Sequence, residues 1–274
     1  MERKTMRIRT VLINAVIVAM MVAVVASRVP ARAGALPVPE AVAEKRIALV
    51  VGNGDYREAG WSKLPVAVRD AKAMTALLRH LQFEVTEVVD ADRETLRRAI
   101  ADFGQKLDQT RRVGLFYYSG QAISAAGAEL LMPIDAALVG ESTMAKEMGI
   151  SLDWVAAQMR SAERAILLVD ACRSNPFDEG DRSPSVAVAS LPKGAVVGRA
   201  TLSGHVALGG PETVGNSVYT TALLQELPVP EREISEALRQ VTMRVVAVTE
   251  GRQRPEFTYS LSRPFYPIPP AVGK

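Results

Sequence analysis

The sequence predicts an α/β domain built on one mostly parallel sheet with helices on both faces. Three observations carry this prediction. Short, continuous apolar runs such as Arg46–Gly52, Val113–Tyr118 and Ala165–Val169 read as strands buried on both sides. Between them lie stretches with apolar residues at every third or fourth position, the helical period. The repeated strand–helix–strand order then requires crossovers over the sheet, and hence parallel pairing. With 274 residues, 48% of them hydrophobic, the chain has ample core for one large domain of this kind or two small ones.

Each element follows from its own pattern. The run R-I-A-L-V-V-G at 46–52 is the first strand. Pro65–Leu81 is a helix with Val68, Ala71, Met74, Leu77, Leu78 and Leu81 on one side. Phe83–Val89 returns as strand. Asp92 serves as N-cap for a helix reaching about Leu107, whose apolar stripe is Leu96, Ile100, Phe103 and Leu107. After the strand Val113–Tyr118 comes a helix at Leu152–Met159, with Leu152, Val155 and Met159 inward, and then the strand Ala165–Val169. The segment Asn175–Lys193, rich in Pro, Ser and acids, reads as a mobile surface loop. A strand at Ala195–Leu202, helices near Val218–Leu227 and Ile234–Val248, and a final strand near Phe257–Leu261 complete the pattern.

The N-terminus has its own chemistry. A basic start, Met1–Arg9, precedes the apolar run Val11–Ala26, which only Asn14 interrupts, and Ala31-Arg32-Ala33 supplies small residues for cleavage after Ala33. Residues 1–33 are therefore expected to be a secretory signal peptide, which makes the protein secreted or periplasmic; an uncleaved membrane anchor is the alternative. Residues 34–44 read as a linker and 45–268 as the folded domain. The first 33 residues also explain the net charge of +3: they hold six basic groups and one acid. The remaining 27 basic and 29 acidic residues, from 33 and 30 in the whole chain, carry −2. No basic stripe points to nucleic acid.

In an open sheet of this type, function gathers at the carboxyl ends of the strands. Four such ends carry unusual polar residues: Asn53-Gly54-Asp55, Ser119-Gly120-Gln121, Asp170-Ala171-Cys172-Arg173 and Ser203-Gly204-His205. Several familiar chemistries are excluded. Gly52-Asn53-Gly54 lacks the third glycine of a dinucleotide fingerprint, and G-x-S-x-G is absent. One Cys and two His are too few for a dedicated zinc site, so no metal or cofactor is expected. The acidic run Asp178–Asp181 reads as solvated loop. Cys172 is the sharp signal. It is either a small packing residue or a nucleophile, and the charged neighbours Asp170 and Arg173 speak for the second reading.

The segments R-I-A-L-V-V-G-N-G-D-Y, G-L-F-Y-Y-S-G-Q-A, L-L-M-P-I-D-A, I-L-L-V-D-A-C-R-S-N-P-F and G-N-S-V-Y-T-T-A-L-L-Q-E-L occur in that order across about residues 45–266. In these the chain resembles the caspase-like cysteine peptidases, in particular their bacterial metacaspase-type branch. The resemblance implies a six-stranded sheet with the last strand antiparallel, and a Cys–His dyad that cleaves peptide bonds. Cys172 matches the nucleophile. The position of the dyad His holds Gln121, and the glycine after it, whose backbone N–H would help hold the oxyanion, is Ala122. The resemblance also matches Asp70 and Asp170 to two acids that receive an Arg or Lys side chain before the cut bond.

A glutamine cannot take up the thiol proton or protonate the departing amine. General acid–base assistance is worth about 10²–10⁴-fold, so ordinary turnover is not expected. Two functions follow from these residues. The first is a pseudo-peptidase that binds basic peptides or regulates an active caspase-like relative. The second is an endopeptidase cutting after Arg or Lys with an unorthodox base, for which His205 is the candidate; otherwise His205 is an exposed loop residue. His80, late in the first helix, reads as a helix-end residue.

Overall fold

The computed structural model describes residues 44–58, 60–108, 112–172, 194–202, 207 and 215–270, all within one compact unit. The signal segment, most of the linker, the loop 175–193, Arg173 and His205 lie outside the described residues.

The apolar runs become the strands of a six-stranded sheet with the order β2-β1-β3-β7-β8-β9. Its members are β1 (Lys45–Gly52), β2 (Glu84–Val89), β3 (Arg112–Gly120), β7 (Arg164–Ala171), β8 (Ala195–Arg199) and β9 (Glu256–Tyr259). Pairing is parallel except between β8 and β9, where Val196–Arg199 run antiparallel to Tyr259–Glu256. The central strands β1, β3 and β7 are buried on both faces, as their unbroken apolar sequences require.

Five helices of seven residues or more cover this sheet among the described residues: α1 (Pro65–His80), α2 (Arg93–Asp108), α3 (Leu152–Gln158), α4 (Val218–Glu226) and α5 (Ile234–Val248). They form the two faces that the alternating pattern calls for. On one face Ala71, Met74 and Leu78 of α1, Leu223 of α4 and Leu238 and Val241 of α5 pack on Val50, Tyr117, Leu168 and Val196. On the other, Leu96, Ile100 and Phe103 of α2 with Val155 of α3 pack on Leu49, Val51, Phe116 and Leu167. The expected Asp92 cap and the apolar stripes hold. Pro65 occupies the first turn of α1, and Asp92 Oδ1 accepts the Thr95 N–H at 2.8 Å to cap α2.

A second, three-stranded sheet is absent from the sequence reading. It comprises β4 (Ala122–Ala125), β5 (Ala128–Leu131) and β6 (Ile150–Ser151) in antiparallel order. The turn between β4 and β5 is Ala126-Gly127, with φ of 49° and 74°, so both residues take the left-handed conformation that tight hairpins favour. Residues 141–148 form a short helical turn that widens into one π turn before β6. This small sheet continues directly from the end of β3 and so fixes the direction in which Gln121 leaves the main sheet.

The carboxyl end of β1 is held by two devices. Gly52 lets α1 cross directly above it; a Cβ there would stand 2.5 Å from Ala71 Cβ and 2.6 Å from the Ala67 carbonyl oxygen. Asn53, fully buried, donates to the carbonyls of Ala91 (3.2 Å) and Met132 (3.1 Å) and accepts the Ala91 N–H (2.9 Å). Asn53 is thus a structural knot between three chain segments.

Candidate active site

The β3–β7 register builds the site. Ser119 stands opposite Asp170 and Gly120 opposite Ala171, so Gln121 and Cys172 are each the next residue on adjacent strands. Neighbouring strands run about 4.8 Å apart, which makes these two chain positions neighbours. Side chains alternate along each strand. Tyr117 and Ser119 of β3, and Asp170 of β7, therefore share the face on which α1 and α4 lie.

On that face the two predicted acids meet. Asp70, on α1 and fully buried, accepts the Asn216 Nδ2–H at 2.9 Å and the Ser217 N–H at 2.9 Å through Oδ1, and the Ser119 hydroxyl at 3.2 Å through Oδ2. Asp170 Oδ2 accepts the hydroxyls of Ser217 and of Thr220, the latter at 2.6 Å. Ser217 bridges the pair: its N–H serves Asp70, its hydroxyl donates to Asp170, and the same oxygen caps α4 by accepting the Thr220 N–H. Thr220 Oγ1 and Tyr117 Oη share a further hydrogen bond of 2.5 Å.

Among the described residues no Lys, Arg or His pairs with either carboxyl. Burial therefore pushes Asp170 up to about 7, and the Asp70 charge adds to the rise against the pull of the two hydroxyls. Burial raises Asp70 as well, opposed by its donors Asn216, Ser217 and Ser119. Burial and the two carboxylate charges hold Tyr117 well above its ordinary value, so its phenol stays protonated. Asp70 is thus neither a helix-dipole ornament nor paired within its helix. It is half of a buried acid pair.

Cys172 is a free, half-buried thiol that accepts a hydrogen bond from the Ala207 backbone N–H. Burial pushes the thiol up and the Asp170 charge adds to this, while the Ala207 bond pulls it down. The thiolate is therefore scarcer than in a free cysteine.

Gln121 has a tightly pinned backbone. Its N–H donates to the Tyr56 hydroxyl at 2.6 Å, and its carbonyl accepts from the Tyr118 hydroxyl at 2.7 Å and the Met132 N–H at 3.0 Å. Gly120 makes room for the two tyrosines; a Cβ there would lie 2.6 Å from one hydroxyl and 2.8 Å from the other. The Gln121 side chain donates to the Ser62 carbonyl at 3.4 Å. Ala122 is buried and opens β4 opposite Leu131, outside the left-handed region, so its substitution for glycine carries no backbone strain. His80 sits at the exposed far end of α1, ten residues and about 15 Å of helix from Asp70.

The structure thus brings Asp70, Asp170, Cys172 and Gln121 to one end of the sheet and leaves His80 apart. Asn53 and Asp55, named with the other strand ends, hold loops instead: Asn53 by its knot and Asp55 by pairing with Lys63. Asn216, Ser217 and Thr220 are the site residues that sequence reasoning overlooks. Their one local signal is the helix-start pattern G-N-S at 215–217. No group of three His, Cys, Asp or Glu side chains suited to a metal ion occurs among the described residues.

Comparison with known proteins agrees with this fold. The caspase-domain family matches residues 45–266. The mucosa-associated lymphoid tissue lymphoma translocation protein 1 of Homo sapiens is 28% identical over 227 residues, as is its homologue in Mus musculus. That match covers 81% of this chain but 26% of the relatives, so the chain spans about a quarter of their length. Caspase-1 from Spodoptera frugiperda shares the fold, with a TM-score of 0.61 at 15% identity over 81% of this chain and 91% of that one. With its sheet order, its cysteine at the end of β7 and a match across most of its length, this chain belongs to the caspase-like cysteine peptidase family.

Proposed function

We propose that the protein is an exported pseudo-peptidase: a caspase-like domain that holds a basic segment of a peptide or protein, or regulates an active relative, without efficient cleavage. One observation carries the reading. The residue beside Cys172 at the position of the dyad His is Gln121, whose amide is turned to the Ser62 carbonyl and has no proton to exchange near neutral pH. The raised thiol of Cys172 points the same way, since a scarce thiolate needs a base more. The buried acid pair supports the choice of ligand: two carboxyls with no cationic partner among the described residues favour Arg or Lys.

The test is a gain of function. Wild-type protein should leave fluorogenic Arg and Lys peptide amides essentially uncut. Gln121→His combined with Ala122→Gly should raise amidase activity by about 10²–10⁴-fold, the usual worth of acid–base assistance, and Cys172→Ala should abolish the gain. Retention of Cys172 together with Asp70 and Asp170 favours a second reading, cleavage after Arg or Lys with His205 as base. Efficient wild-type cleavage that His205→Ala abolishes would establish that reading in place of the first.

A further inference from the structure

Asp70 and Asp170 are two buried carboxyls that share one serine, and among the described residues neither pairs with a Lys, Arg or His. From α1 the pocket is faced by Asp70 alone, because the neighbouring Arg69 turns away to donate to the Gly215 carbonyl at 3.1 Å. From β3 it is faced by the Ser119 hydroxyl and the Tyr117 phenol. From β7 come Asp170 and, beyond it, Cys172. From α4 and the segment before it come Asn216, Ser217, Thr220 and Tyr219, with Arg199 of β8 near enough to act on Tyr219. Arg199 is itself committed, through its Nε, to the Glu129 carboxylate at 2.8 Å.

Two adjacent carboxylates cannot both stay ionised cheaply in such a place. We propose that the Asp70–Asp170 pair holds one proton when no cation is bound, and that a basic side chain is captured only by displacing it, so that capture of the cation is coupled to pH. This inference rests on the basic-ligand reading above and adds its regulation.

The hydrogen bonds say where the proton sits. Asp70 accepts two N–H groups and one hydroxyl, a set that suits the ionised form. Asp170 accepts the Ser217 and Thr220 hydroxyls on one oxygen, the latter joined in turn to the Tyr117 phenol, with only a weaker pull from the Thr220 N–H. It is the member held near neutrality, at about 7. The balance is simple. Without a bound cation the pair carries one carboxylate and one carboxylic acid, net −1. An entering guanidinium or ammonium brings +1, the acid releases its proton to water, and the loaded pocket carries two carboxylates and one cation, again −1. Without proton release the pocket would offer the cation half the charge.

The direction follows. Below the pH at which Asp170 titrates, cation binding competes with a proton; above it, the competition vanishes. For a midpoint of about 7, an arginine ligand should bind roughly tenfold more weakly at pH 6 than at pH 8.

The experiment is calorimetric titration of the full chain with a blocked hexapeptide carrying a single central Arg, with the Gln analogue as control. Binding that is about tenfold tighter at pH 8, with a heat at pH 6 that varies with buffer ionisation enthalpy by close to one released proton, supports the proposal. Arg-specific binding of equal strength at pH 6 and 8, with no buffer-dependent heat, overturns it and leaves the basic-ligand reading standing. Absence of Arg-specific binding at both pH values overturns both. Asp170→Asn should weaken binding at pH 8 and abolish its pH dependence. Because the proton count is made on the wild-type protein, the proposal stays testable if that variant fails to fold.

Discussion

The chemistry of Cys172 is set by the residue two places before it. Burial is the larger cause of its raised thiol, and the Asp170 charge is the smaller one, acting only when Asp170 is ionised. Iodoacetamide should therefore label Cys172 more slowly than free cysteine at pH 8. Asp170→Asn should speed labelling at pH 8, where the wild-type carboxyl is charged, and change it little at pH 6, where the carboxyl is largely protonated. Mass-spectrometric labelling rates at the two pH values check this; equal acceleration at both would show that the carboxylate charge is not the cause. Cys172 and Asp170 stand out in the sequence because they close an apolar strand, whereas Asp70 is marked only by the resemblance to the family. Ser217 does not stand out, although it joins the two acids. It lies 47 residues from Asp170 and 147 from Asp70, and its local pattern reads as an ordinary helix start. Hydrogen bonds across such separations leave no mark on nearby sequence.

Strands and helices follow hydrophobic period closely here. The expected helix Ile234–Val248 is reproduced to the residue, and the other helices and the strands of the main sheet agree within about three residues at each end. The small sheet escapes the same reasoning for a definite reason. Its strands are two to four residues long, and the Ala126-Gly127 turn lacks the Asn or Asp that marks a tight hairpin. What secures this region is a side chain rather than a period. Asn53 joins the end of β1 to Ala91 and to Met132, just past β5, with three hydrogen bonds. Asn53→Ala strands the buried Ala91 N–H and removes one hydrogen bond from each of two carbonyls that keep another, Ala91 from the Ile134 N–H and Met132 from the Tyr118 hydroxyl, and should cost on the order of 2 kcal/mol. Urea unfolding should show a lower midpoint at unchanged slope. Asn53→Asp restores the acceptor for the Ala91 N–H but sets a buried carboxylate oxygen against the Ala91 and Met132 carbonyls, and should recover little of the loss. Full recovery by Asp would mean that the two donated bonds contribute nothing.

The two sheets are also tied by charge. Glu129 of β5 and Arg199 of β8 form an ion pair at 2.8 Å with side chains only 1% and 3% exposed, linking the small sheet to the main sheet beside the acid pocket. A pair this deep is held against the desolvation of both partners, so its value appears only when one partner is removed. Arg199→Met breaks this ion pair at a nearly fully buried carboxylate and should destabilise the protein by about 3–5 kcal/mol. Glu129→Leu alone should do comparable damage by isolating the guanidinium. The double variant buries an apolar pair of similar volume and should regain most of the loss, with a coupling well above the roughly 0.5 kcal/mol of independent sites. Chemical denaturation of the four proteins closes the cycle. Since Arg199 also acts on Tyr219 at the rim of the acid pocket, the same four proteins should be compared for arginine-peptide binding at pH 8. If the double variant is stable and still binds, the ion pair only joins the sheets. Additive losses in the cycle would mean that the two charges do not stabilise one another at all, and that the small sheet is held by its apolar contacts through Tyr56, Ile123, Leu130 and Met132.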